Sequence, residues 1–448
     1  MDKRKHKRSR RFLSALMVLA MLISLLPAGA YATEPGDGST TNEIVEQTPT
    51  TEPGSEGPEN DPDGNVTEPS EGTETTEPTE PEQPTEPTEP TEPTEPSEPA
   101  GDDGNVAALQ DGVNVIQSGA ENTTYNIGDG QAVMIANQAK GAEPITFTNC
   151  TFNLSGKTVK ISGDQGGISY KNGEVVTKLF IGGAVNFENC HFVTEEGASK
   201  STSAGYDAAI YFFSGDINLT NCTLEAEGYN GQFLGLYGSE EAVTFTDSSI
   251  STVNNKNGWS YAMYGGSVLK LNHSTMTATG MTKDSGNINA FYSGDNREGY
   301  DAVFIENGSV VDFSDNQAGG FAINNVNIHV SDSSITVNDN LGNACNSGYW
   351  IVKDSSITMK GNKGGHALSC IGFEMTDTDL EILHNGYAGV YLQSKNSSLT
   401  DCTVDIRCNG ENLLSYSAGD VWLNSHTLTV DGGTSDAQEG SPWLGGVG

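Results

Sequence analysis

The chain has 448 residues, 35% of them hydrophobic, and a formal charge of −38 at neutral pH, so it can bury a core while repelling polyanions. Nucleic acid and anionic lipid both need basic footprints, and such a field excludes both as partners. Calcium is the one cofactor this composition leaves open, through clustered carboxylates, although no Asp-x-Asp-x-Asp loop of suitable spacing occurs.

The first element in chain order is an export signal over residues 1–32. A basic run from Met1 to Arg11 precedes an apolar run from Phe12 to Leu26, and Ala30-Tyr31-Ala32 supplies a small-residue cleavage site. The apolar run falls short of the ~20 residues that span a bilayer, which favours cleavage over an uncleaved anchor. Ser9-Arg10-Arg11 hints at twin-arginine export, but the strongly apolar core favours the general route. Cleavage leaves 15 basic residues against 59 acidic ones, a charge of −44, on a protein expected outside the cell or at its wall, with no membrane segment of its own.

Residues 33–104 form the second element, rich in Thr, Glu, Pro, Ser and Gly and culminating in the run from Thr85 to Pro99. Proline fixes φ and removes donors, the glutamates repel one another, and too few apolar groups are present to offset chain entropy. A disordered, extended linker is expected, reaching ~200 Å at ~3.1 Å per residue.

From Val113 onward the text changes to short alternating runs of Val, Ile, Phe and Thr punctuated by Gly, Asn and Asp, the mark of strands. The runs align on a polar residue that recurs as Asn149, Asn189, Asn221, Asp247, His273, Asp332, Asp354, Asp377, Asp401 and Ser425. A repeat this short, with three strand-like runs and no helical period, predicts an all-β parallel β-helix over 105–435, leaving 436–448 as a tail or the start of a further segment. Asn and Asp tolerate the positive φ of a sharp bend, so the anchors should stack along one corner. In this register Val185, Phe187, Cys190, Phe192, Ile217, Leu219, Leu224, Phe373, Met375, Leu380 and Ile382 point inward. Cys150, Cys190, Cys222 and Cys402 share a slot that Ser248, Ser274, Ser333 and Ser355 fill elsewhere, so they read as small buried residues. The coil around Asp315 is out of step, only 17 residues before Asp332.

At the level of coil pattern, residues 113–433 resemble the right-handed, single-stranded parallel β-helix proteins of the pectate-lyase-like superfamily, carried on surface proteins of Gram-positive bacteria. The resemblance implies fold rather than activity, since lyases, glycosidases, tailspikes and adhesins share it. Gly365-His366-Ala367 looks like the Gly-His-Gly stretch of polygalacturonases. The family's acid pair is replaced by Asn343-Ala344, and its Arg and Lys by Val390-Tyr391-Leu392-Gln393, so the two opposed carboxyl groups of glycoside hydrolysis are missing. His366 then reads as a turn residue. Lyase chemistry in this family uses calcium-binding carboxylates and an arginine; Arg297, with Asp301 and Asp207, is the best such candidate, against the plainer reading of a solvated loop ion pair.

A second regularity lies on the first strand of each coil. If Ile210, Leu236, Met263, Val303 and Val390 point inward, then Tyr211, Tyr237, Tyr264, Phe304 and Tyr391 point outward and form an aromatic column suited to sugar rings. Gly-aromatic pairs precede it, at Gly228-Tyr229 and Gly386-Tyr387 among others. The same rows also arise when loops cover a sheet. The sequence therefore predicts a secreted or surface β-helix that binds a polysaccharide or host glycan, or the cell wall, through this face. The alternative is a lyase or hydrolase acting on uronic-acid-containing glycans.

Overall fold

Each repeat becomes one coil of three strands. In the computed structural model the described residues are 105–137, 143–162, 174–194, 207–213, 215–238, 242–256, 259–282, 289–294, 302–317, 319–407, 409, 421–422, 426–432 and 434–435. Among them every strand pairing but one is parallel, and no helix occurs. The chain is an all-β parallel solenoid. Its post-bend strands, from Asn105–Val106 to Thr434–Ser435, form one sheet of 13. The pre-bend strands and the leading strands lie on two further faces, joined where a long strand such as Asn343–Lys353 serves both.

The bend column explains the polar anchors. Asn122, Asn149, Asn189, Asn221, Asp247, His273, Asn307, Asp332, Asp354, Asp377 and Asp401 all adopt φ between 47° and 56°, the left-handed region that Asn and Asp enter most cheaply. Neighbouring anchors bond along the corner: Asn149 Nδ2 donates to Asn122 Oδ1 at 3.1 Å, and Asn221 Nδ2 to Asn189 Oδ1 at 2.6 Å.

Two positions correct the expected register. The coil between His273 and Asp332 bends at Asn307, followed by the extra residue Gly308, which the sequence alignment passed over. Asp315, with φ of 58°, belongs instead to a second bend column with Asn254, Asp339 and His384. In the last described coil Thr400 pairs with Asp431, which puts Gly432 (φ 72°), rather than Ser425, at the bend; Ser425 itself lies outside the described residues. A Cβ on Gly432 would sit 2.2 Å from Asp401 Oδ1, so glycine is needed there.

Inward-facing side chains stack coil upon coil. Tyr125, Phe152 and Phe192 occupy one slot with ring centroids 4.8 Å apart and planes within 5°, and Leu224, Ile250 and Met276 continue it. All of the inward residues expected from the sequence are buried, Phe187 and Phe373 completely. Each contributes on the order of 1.5–3 kcal/mol by leaving water.

The cysteine slot has a further reason for its residue types. Its side chains accept the backbone N–H of the coil before: Cys190 donates to Cys222 Sγ (3.4 Å), Cys222 to Ser248 Oγ (3.0 Å), and Ser248 to Ser274 Oγ (3.1 Å). A thiol or hydroxyl at that point satisfies a buried donor that an alanine would strand. The described cysteines are free thiols, all buried; Cys408 lies outside the described residues.

A buried asparagine ladder lines the second bend. Asn316, Asn340, Asn362 and Asn385 each accept on Oδ1 the backbone N–H of the coil before, at 3.0–3.2 Å. The amide nitrogens add a second rail, with Asn340 Nδ2 to Asn362 Oδ1 at 2.8 Å and Asn362 Nδ2 to Asn385 Oδ1 at 2.9 Å. The recurring Asp-Asn, Gly-Asn and His-Asn pairs are its sequence trace, and the repeat alignment on the first bend missed them.

Candidate functional site

The outer face of the leading sheet is built from two columns. Strand pairing places Phe180, Tyr211, Gly235, Ala262, Tyr292, Asn324, Asn346, Ser369 and Tyr391 in one. Two residues further along each strand, Phe213, Tyr237 and Tyr264 form the other.

The single aromatic column expected from the sequence is therefore corrected. Tyr211 pairs with Gly235, two residues away from the expected alignment with Tyr237, because Phe212 rather than Ile210 aligns with Leu236. Phe304 is on another face: its strand, Ala302–Glu306, is a pre-bend strand paired with Val268–Asn272 and Asn327–Ser331. There it stacks on His329, with centroids 4.5 Å apart, and desolvation by burial lowers the His329 pKa. Tyr391 shares the column of Tyr211, separated from it by seven coil steps.

Along this face the surroundings change. Near its start both sides of the sheet are buried, which is why Ala132-Val133-Met134-Ile135-Ala136 is an unbroken apolar run. Met134, Phe180, Ala208 and Tyr211 pack with Ile161 of Val159–Ser162, the one antiparallel strand, in a second small core. Tyr211 is only 2% exposed. Its ring lies over Gly235, where an added Cβ would come within 2.8 Å of Cδ2. Lys178, 1% exposed, is tucked into the same region and donates to the carbonyls of Gly128 (2.6 Å) and Gln131 (3.3 Å).

Further along, the face is half-buried rather than covered. Phe213 stacks on Tyr237 at 5.7 Å with planes 4° apart. Trp259 stacks on Tyr292 at 4.0 Å, and Tyr264 contacts both at 6.4 and 6.1 Å. Gly265 and Gly294 lie beside the rings of Tyr237 and Tyr264, where an added Cβ would come within 3.3 and 3.2 Å of them. Amides take over next: Asn346 Nδ2 donates to Asn324 Oδ1 at 3.3 Å, and Gln393 Nε2 to Asn346 Oδ1 and Ser369 Oγ at 2.8 and 2.9 Å. At the far end His366 packs against Tyr391 (4.8 Å) and Tyr387 (6.2 Å), and burial lowers its pKa.

No family model and no curated protein matches the chain. Among solved structures it is similar to the catalytic domain of a GH87 alpha-1,3-glucanase in complex with tetrasaccharides, at 11% identity and a TM-score of 0.24. The match covers 68% of this chain and 66% of the other.

Arg297 and Asp301 lie outside the described residues. Asp207 opens the strand Asp207–Phe213 opposite Val176, with its side chain outside the description. His366 lies two residues before the strand Leu368–Thr376. Arg407 holds Asp405 by two hydrogen bonds of 2.5 and 2.6 Å on the post-bend sheet. Among the described residues no group of three or more His, Cys, Asp or Glu side chains is placed to hold a metal ion.

Proposed function

We propose that this is an exported protein of the cell surface whose solenoid binds polysaccharide through the outer face of its leading sheet, in adhesion or wall association. The supporting observation is the run of half-buried Tyr237, Tyr264, Trp259 and Tyr292 that passes into the amides of Asn324, Asn346 and Gln393. Rings give apolar contact to the C–H faces of sugars, and amides supply both donors and acceptors for their hydroxyls. Because Tyr237, Tyr264, Tyr292, Asn324 and Asn346 are mounted on strands, they are held before any ligand arrives, which limits the entropy lost on binding.

Retention on a panel of immobilised polysaccharides tests the reading. The full chain should be held by at least one polysaccharide, and the double variant Tyr237→Ala/Tyr264→Ala, still melting cooperatively with a midpoint lowered by only a few degrees, should be released from it. Equal retention of the two would reject this face as the binding surface.

A further inference from the structure

The chemistry of the face also specifies what kind of glycan it takes. We infer that the ligand is an uncharged, extended polysaccharide lying along the solenoid axis, with about one sugar residue over each coil; this rests on the glycan-binding reading above.

Charge is the first argument. Tyr237, Tyr264, Tyr292, Asn324, Asn346 and Tyr391 carry none, and a carboxylated or sulfated glycan would find no cation among them. Among the described residues of these coils, Lys395 Nζ lies 4.9 Å from the Tyr349 ring centroid, and Lys363 is exposed before the leading strand, outside both columns; Lys283 and Arg297 lie outside the described residues. The net charge of −38 adds a long-range penalty for any polyanion. Anionic glycans are normally bound through arginine and lysine, whereas hydroxyl-rich neutral ones need the mixed donors and acceptors that amides offer.

Geometry is the second. From Tyr237 to Tyr391 the face crosses seven successive coils in direct register, stepping by about 4.8 Å each, and the pairing of Tyr391 with Trp422 carries it to an eighth. That step is comparable to one pyranose unit in an extended chain. A polymer aligned with the axis thus meets an equivalent backbone environment at every unit, with rings at both ends of the stripe and amides between them. Crossing the axis instead, it would leave the stripe after one or two sugars.

Calorimetric titration of the full chain with neutral gluco-, manno- and galacto-oligosaccharides, from disaccharide to decasaccharide, tests this against the same ladders oxidised to carboxylates at C6. In at least one neutral series affinity should climb with length and level off at about seven to eight units, matching the coils from Tyr237 to Trp422. Its oxidised counterpart should bind at least tenfold more weakly at low salt. Asn346→Asp should weaken the neutral series several-fold, while Ile351→Ala, on the neighbouring face, should leave it unchanged. Equal affinity for the oxidised series, or saturation already at the disaccharide, would overturn the inference and leave glycan binding standing. Failure of every oligomer and of every immobilised polysaccharide would bring down the underlying reading as well.

Discussion

The interior columns and the outer face of the leading sheet are built from the same coils, yet they obey different rules. Inside, most slots keep one kind of side chain from coil to coil, aromatic or aliphatic beside the bends, thiol or hydroxyl just after the first, and amide at the second from Asn316 to Asn385. Outside, one column runs from Phe180 and Tyr211 through Gly235 and Ala262 to Asn324 and Tyr391. Interior positions are constrained by both neighbouring coils at van der Waals distance, so errors propagate. The outer face is constrained only where something covers it, and the covered start and half-open remainder of that face show the transition.

The largest effect should come from the interior. Phe187→Asp puts an unpartnered charge between Phe147 and Leu219 and should cost more than about 4 kcal/mol, abolishing cooperative melting of the adjacent coils. A thermal melt whose midpoint barely moved would break the assignment of this column. Asn362→Ala removes the acceptor of Asn340 N–H and the donor to Val337 O at once, and should cost about 3 kcal/mol in a urea titration.

At the covered start of the outer face the effects should be intermediate. Gly235→Ala drives a methyl into the Tyr211 ring and the Gln232 amide, for a loss of about 1–3 kcal/mol. Lys178 tests the same region by pH. Desolvation lowers its pKa from 10.5 to about 8, against the opposing attraction of Asp129. Between those two values the unfolded chain holds the proton and the fold does not, so stability should rise with pH from about 8 toward 10.5. Comparison of urea midpoints across that range with Lys178→Met, which should lose the rise, isolates this residue.

The half-open part should respond least in stability and most in binding. Tyr237→Ala and Tyr264→Ala should each cost about 1 kcal/mol or less, the worth of a ring contact, while retention on polysaccharide falls. A loss as large as that of Asn362→Ala would erase the contrast between the two regions.

Legibility follows the same division. The inward positions of Val185, Phe187 and Phe192 could be read directly, because alternation at period two and a polar bend residue fix which face each side chain takes. Asn307 escaped because one inserted residue, Gly308, shifts its coil, and Ser425 was mistaken for the last bend because the coil before Gly432 is longer. The candidate face was legible in composition but not in arrangement. Tyr237 and Tyr391 lie outside the core as expected, but Tyr211 is buried in a second small core, a two-residue difference in register puts Tyr237 in a separate column, and an unrecognised pre-bend strand takes Phe304 away.

By itself, then, the sequence determined the coiled all-β architecture and most of its interior, since burial and bend geometry are demanded by each repeat locally and are repeated along the chain. Only the tertiary structure decided which outward residues share a surface, that Tyr211 is enclosed while Tyr237 and Tyr264 are not, and that amides continue the aromatic stripe. Those relations depend on strand register and on covering segments from distant parts of the chain, and no local rule of alternation encodes them.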